Sequence, residues 1–181
     1  MIIYASEFSE IPQALINNPT LKDYMLALIS DRKISGKSTE GGDRLERFRL
    51  ILARLTKGEI SLDAAVREVE YQLPRHTSIH AGNNSAFASR WSERLVRTEF
   101  SRFYNQAVLE TEIKKGNTEC FVPPSSQEQA SSQCSQVLAG RSHDVSHLLK
   151  LLVTSYEDGN WDKTPKIPDH PYCTHVIKPM S

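Results

Sequence analysis

The chain has 181 residues, of which 39% are hydrophobic and 24% charged, and its 22 basic and 22 acidic side chains cancel. This composition predicts a folded domain and excludes wholesale disorder, and the zero net charge argues against the positive field of a non-specific nucleic-acid binder. No apolar run reaches the roughly 18 residues of a membrane helix, and Met1–Glu7 lacks the features of a secretory signal, so we expect neither.

Residues 1–75 have the pattern of four short helices. Apolar side chains recur at helical spacing after Pro19, and a polar linker covers residues 36–42. A third helix should start at Asp43, and Ser61 is placed as the N-cap of a fourth. We therefore expect a helical N-terminal bundle.

The longest helical signal runs from about Ala86 to Lys115. Its aromatic and aliphatic side chains lie on one broad stripe, and the remaining positions are rich in arginine and glutamate. Such a charged face is usually solvated. This stretch predicts one long central helix with a charged outer surface.

The last third has a different character. Thr118–Val122 is a strand candidate, residues 125–135 form a Ser/Gln-rich tract, and Val145–Tyr156 is an apolar run that fits a helix or a strand. Cys173–Ile177 alternates as a terminal strand would.

These patterns predict an α+β, mostly helical fold. We expect an N-terminal helical bundle, one long central helix, and a small C-terminal part with short strands and a Cys/His-rich loop. The units would be residues 1–75 and residues 86–181, or a single continuous domain over residues 1–181.

Cysteine and histidine gather near the C-terminus. The three cysteines are an odd number, which favours reduced thiols over a disulfide framework. His170, Cys173 and His175 lie within six residues, and Cys134 is the natural sequence-distant partner, because tetrahedral zinc sites usually join two separated pairs. We therefore predict a zinc site at these four residues. The alternative is that the side chains are simply packed or exposed.

Two other arrangements are open. His143 and His147, four residues apart, would share one face of a helix, although no zincin motif accompanies them. A cysteine activated by a histidine, with Asp144 or Asp169 orienting the ring, would make an enzyme. The sequence does not say which cysteine would be the nucleophile.

Three segments in order resemble the phage Mu F-like, head morphogenesis (minor capsid) family over roughly residues 86–178. Leu95–Gln106 is similar to the family's Arg-Thr-Glu helix, Cys134–Gly140 to its cysteine-bearing turn, and Pro168–His175 to its terminal His-Pro-x-Cys-x-Cys element. The family's turn often has a second cysteine where this chain has Val137, and its last cysteine falls at His175. The fourth ligand would then be His170 or Cys120.

The resemblance implies functional roles as well as a fold. Arg97, Glu99 and Asn105 occupy recurring positions of the family, and we expect them to form a buried network that ties the long helix to the C-terminal strands and loop. A surface salt-bridge face is the alternative for Arg97 and Glu99.

The implied function is that of a minor head protein, not an enzyme, acting through assembly contacts in the host cytoplasm and the virion. Its partners would be other capsid or portal proteins and further copies of itself. The only local candidate for phosphate contact with DNA is an arginine face made of Arg90, Arg94, Arg97 and Arg102. The rival functions are a small phage-derived toxin or effector enzyme with a Cys/His active site, and a plain helical interaction module.

Overall fold

A computed structural model describes residues 1–180, and they form the predicted α+β, mostly helical fold. The helices are α1 (Ile11–Asn17), α2 (Pro19–Asp31), α3 (Arg44–Thr56), α4 (Leu62–Gln72), α5 (Trp91–Lys114), α6 (Gln133–Val137) and α7 (Val145–Tyr156). The strands are β1 (Glu119–Val122), β2 (Arg141–Asp144) and β3 (Lys178–Pro179). None of the helices in residues 1–180 combines the length and the apolar character that a membrane span requires.

Side-chain caps begin two of the N-terminal helices. Asn18 accepts a hydrogen bond from the backbone N–H of Leu21 at α2 (3.2 Å), and Ser61 accepts one from Ala64 at α4 (3.1 Å). Each cap satisfies a donor that the first helical turn leaves unpaired, an effect of typically about 1 kcal/mol. The four predicted N-terminal helices and the N-cap at Ser61 are confirmed.

Helix α5 is the centre of the molecule and packs against α2, α4 and α7. Every side chain from Glu99 to Leu109 is buried, so this stretch has no solvated face. The predicted charged outer surface is therefore wrong here, because other helices cover it. The predicted start at Ala86 is also too early: Arg90 has a φ of 60°, a left-handed conformation that interrupts a right-handed helix.

The N-terminal segment is held against the C-terminal half by specific bonds. Ala5 N–H donates to the hydroxyl of Tyr104 on α5 (2.9 Å), and Phe8 N–H donates to the carbonyl of Thr174 (2.8 Å). The ring of Phe8 also packs edge-on against Phe100, with centroids 6.2 Å apart. One hydrophobic cluster extends from Ala5 to Ile177, so the two halves share a core.

The sheet is antiparallel in the order β2-β1-β3, with Cys120 opposite His143 and Phe121 opposite Lys178. Helix α7 follows β2 directly, and Asp144 caps it by accepting from His147 N–H (2.8 Å). The apolar run Val145–Tyr156, which fits a helix or a strand by sequence, is therefore a helix.

Three local features differ from the sequence predictions. Cys173–Ile177 is not a strand, since Ile177 N–H donates to the side chain of Asn105 and only Lys178–Pro179 pairs with β1. Strand β2 and the short helix α6 were not predicted. Helix α6 begins in the Ser/Gln-rich tract, where Ser132 caps it by accepting from Ser135 N–H (3.2 Å).

Candidate metal centre

Two separate parts of the chain bring sulfur and imidazole groups to one point. Cys134 is carried by α6, and His170 and Cys173 lie in the C-terminal loop, where Cys173 N–H donates to the carbonyl of His170 (3.0 Å) and closes a turn. The Sγ of Cys134 lies 3.9 Å from the Sγ of Cys173 and 3.9 Å from Nε2 of His170. Both cysteines are buried and reduced.

Glu128 is a fourth member of the cluster that the sequence analysis missed. Its Oε1 lies 3.4 Å from Nε2 of His170, and its Oε2 accepts a hydrogen bond from Thr174 N–H (2.9 Å). The sequence offers only a weak indication that Glu128 is special, namely that it is the single charged residue in the Ser/Gln-rich tract 125–135. The donor atoms of Glu128, Cys134, His170 and Cys173 all lie within 4.8 Å of one another.

His175 lies at the edge of this group of four. Its Nδ1 is 4.0 Å from the Sγ of Cys173 and 4.0 Å from Oε2 of Glu128, and the side chain is 1% exposed. The structure therefore brings all four predicted ligands together with Glu128, and it places His175 outside the set whose donor atoms are mutually close.

Hydrogen bonds within the cluster favour a thiolate. The bond with Cys173 holds the pKa of Cys134 well below its ordinary value, and contacts with His170, His175 and Ser132 act in the same direction against the opposing effect of burial. The hydrogen bond between the two sulfur atoms, together with burial, raises the pKa of Cys173. The bond to Cys134 also raises the pKa of His170. A buried thiolate is the form in which cysteine binds a metal.

The alternative ligands suggested by the sequence lie elsewhere. Cys120 is buried on β1, where its thiol donates to the carbonyl of His143 (3.6 Å), and burial raises the pKa of this thiol to about 12. His143 belongs to β2 and its Nε2 is bonded to the carbonyl of Leu138 (2.8 Å), whereas His147 is exposed on α7. The two histidines therefore do not share one helix face.

The three residues of the predicted network take different roles. Arg97 lies between two aromatic rings, 4.3 Å from the centroid of Phe8 and 5.3 Å from that of Tyr172, and its buried Nε has no hydrogen-bond partner in residues 1–180. Glu99 pairs with Arg102 (3.0 Å), and this arginine is 0% exposed, so it does not belong to an outer arginine face. Arg97 and Glu99 are thus not joined to each other by an ion pair.

Asn105 connects α5 to the C-terminal segment. Its Oδ1 accepts from Ile177 N–H (2.7 Å), and its Nδ2 donates to the carbonyl of Ser101 (2.8 Å), all in a fully buried setting. These bonds fix the chain just after the Cys/His cluster.

Replacing Asn105 with alanine should lower the free energy of unfolding by about 2 kcal/mol, since it leaves the buried N–H of Ile177 without an acceptor. Urea denaturation measures the loss, and amide hydrogen exchange at Ile177 locates it. The exposed amide change Gln127→Ala is the control. Unchanged protection at Ile177 would contradict this role.

No family model, no curated protein and no solved structure matches this chain. The resemblance to the head morphogenesis family therefore stays a prediction, and the geometry of the Cys/His cluster is the main basis for a functional proposal.

Proposed function

We propose that this chain is a phage or prophage minor head protein of the Mu F-like type, whose C-terminal loop is held in place by a structural zinc ion. The ordered sequence matches around Arg97, Cys134 and Cys173 support the family assignment. The convergence of sulfur, imidazole and carboxylate donors supports the metal.

The distance between the two sulfur atoms carries the zinc proposal. Two thiolates bound to tetrahedral zinc, each about 2.3 Å from the ion, lie about 3.8 Å apart. The Sγ atoms of Cys134 and Cys173 are separated by 3.9 Å. His170 and Glu128 complete four protein donors, and a closed set of four is characteristic of structural rather than catalytic zinc. The zinc would supply a bond between α6 and the C-terminal loop.

The geometry favours a structural metal site over the active site of a cysteine enzyme. In a catalytic triad the acid contacts the ring nitrogen that does not face the nucleophile. Here Cys134 and Glu128 both face Nε2 of His170, as ligands around one shared centre would. Cys134 and Cys173 are also 0% and 1% exposed, which leaves little access for a substrate.

Metal analysis with thermal melts tests the zinc site. We expect about one zinc per chain in protein purified without a metal-affinity step, and a lower melting temperature after treatment with a strong chelator. Thiol reagents should label Cys134 only after chelation. Protein that contains no metal and melts unchanged in chelator would overturn the zinc proposal, and rapid labelling before chelation would favour the enzyme.

Replacing Glu128 with glutamine should weaken zinc binding by about 10–100-fold. The change removes a carboxylate from the cluster, and it also weakens the hydrogen bond from Thr174 N–H that orients the side chain at position 128. Competition with a chromophoric chelator measures the affinity. Glu119→Gln, an exposed carboxylate on β1, is the matched control. Equal affinity in both variants would remove Glu128 from the site.

The head-protein role needs a separate test. We propose assembly contacts with capsid or portal proteins and with further copies of this chain, in the host cytoplasm and the virion. Particles released after prophage induction of the source strain should contain the chain at a few copies, measured by quantitative mass spectrometry on gradient-purified heads. Its absence from such particles would reject the role while leaving the zinc site untouched.

A further inference from the structure

A separate cavity of about 580 Å³ opens beside the first half of α5. Its walls come from the loops before α3 and before α5, the first half of α5, and the end of α7 with the loop that follows it. Neither the four donor residues of the Cys/His cluster nor His175 lines it. The volume lies within the range of about 300–1,000 Å³ that is usual for small-molecule sites.

Both tryptophans of the chain line this cavity. Trp161 is 54% exposed, although Tyr156 packs against it edge-on and the Nζ of Lys166 lies 4.2 Å from its ring centroid. Trp91 is half-buried against Phe87. Indole surface left open to water in a concave site is suited to stacking on a flat unsaturated ring.

The cations in the lining have no acidic partner. Lys37 and Arg94 are exposed, and neither forms an ion pair within residues 1–180. Of the two acids in the lining, Glu99 pairs with Arg102 (3.0 Å), whereas Glu40 contacts His80 (2.7 Å), which is a cation only when it is protonated. Lys37 and Arg94 together outweigh the single carboxylate of Glu40, so the lining has an excess of positive charge, which suits a phosphate.

The cavity also offers a buried acceptor. Glu99 is 3% exposed yet contributes to the lining, and Arg102 bonds its Oε2, which leaves Oε1 available to a ligand. A buried carboxylate is a strong acceptor for an amino or hydroxyl group. Stacking surface, cation and acceptor thus occur in one cavity.

We propose that this cavity binds a nucleotide, with the base stacked on Trp91 or Trp161, the phosphate bound by Arg94 and Lys37, and a base amine or sugar hydroxyl donating to Glu99. The nucleotide is either free or an unpaired unit of a single strand, since both present the same base and phosphate.

Intrinsic fluorescence tests this directly, because all tryptophan emission of the chain comes from the cavity. The 181-residue chain as purified is titrated with AMP, with a short oligodeoxyadenylate, with adenosine and with inorganic phosphate. We expect saturable quenching by AMP or the oligonucleotide, and binding at least about tenfold weaker for adenosine, which lacks the charged group. Tighter binding of the oligonucleotide identifies a strand, and equal or tighter binding of AMP identifies a free nucleotide.

Two variants with matched controls assign the binding to this cavity. Arg94→Ala and Trp161→Ala should each weaken binding about tenfold, whereas Arg67→Ala and Tyr71→Ala, exposed residues of α4, should not. Unchanged circular dichroism and zinc content show that each variant is folded. The proposal is overturned if neither nucleotide form quenches, if adenosine binds as tightly as AMP, or if both cavity variants bind like the native chain.

Discussion

Replacing Cys173 with serine should abolish zinc binding and lower the free energy of unfolding by more than about 3 kcal/mol. The Sγ of this residue lies 3.9 Å from that of Cys134, so serine removes one of two thiolates from the proposed site. Loss of a bound metal is one of the few mechanisms that produce effects of this size, because binding to the folded state alone stabilises it. Zinc content and urea denaturation of the same preparation measure both effects.

Cys120→Ser is the matched control for this prediction. Cys120 is equally buried, but its thiol contacts the carbonyl of His143 and not the cluster. This variant should keep its zinc and lose only about 1 kcal/mol, the usual effect of a single substitution. A Cys173→Ser protein that retains zinc, or that is no less stable than Cys120→Ser, would contradict the proposed ligand set.

Replacing Arg102 with methionine should lower the free energy of unfolding by about 3–5 kcal/mol, because it leaves the buried carboxylate of Glu99 without its cation. Arg102 also donates to Gln106 (3.0 Å) and to the carbonyl of Lys33, so it joins α5 to the loop after α2. Urea denaturation measures the loss, and Arg67→Met, an exposed arginine on α4, is the control. The variant Glu99→Gln/Arg102→Met should recover part of the stability, since no buried charge then remains unpaired.

The pH dependence of Arg102→Met follows from the pKa of Glu99. Burial raises this pKa, and Arg102 opposes the shift. A carboxyl whose pKa is higher in the folded state stabilises the fold below its unfolded pKa, and this stabilisation is lost as the pH rises through the folded pKa. Without Arg102 the folded pKa is higher still. The stability gap between the variant and the native chain should therefore shrink as the pH falls from about 7 to about 5. A gap that stays constant would show that Glu99 is not the unpaired group.

Sequence periodicity and capping residues predicted most of the helices. Ser61 and the apolar spacing after Asp43 are local signals, and local signals were enough for α3 and α4. Val145–Tyr156 was ambiguous because a short apolar run fits a helix or a strand, and its helical form depends on packing against α5. Arg102 was assigned to a solvated face because the sequence does not show that other helices pack over this part of α5. Charge spacing along one helix does not reveal which other helices cover it.

The Cys/His cluster was predictable only in part. Cys134, His170 and Cys173 were found through residue type and family resemblance, since soft ligands near a turn are visible in the sequence. Glu128 was missed because a carboxylate in a polar tract has no periodicity, and its position depends on a bond to Thr174 across the loop. The role of Asn105 as the acceptor for Ile177 also depends on tertiary packing.

Thr174 is the point at which the N-terminus and the cluster meet. Its N–H donates to Glu128, and its carbonyl accepts from Phe8 N–H, so the two backbone groups of one residue contact the candidate ligand and the N-terminal segment. The NMR signal of an isotope-labelled Phe8 amide would therefore report whether the C-terminal loop is held in place. Phe8 is not itself a target of chelators or thiol reagents. A fusion partner that pulls residues 1–8 away from the rest of the protein would break the bond from Phe8 N–H to the carbonyl of Thr174 and so loosen the C-terminal loop.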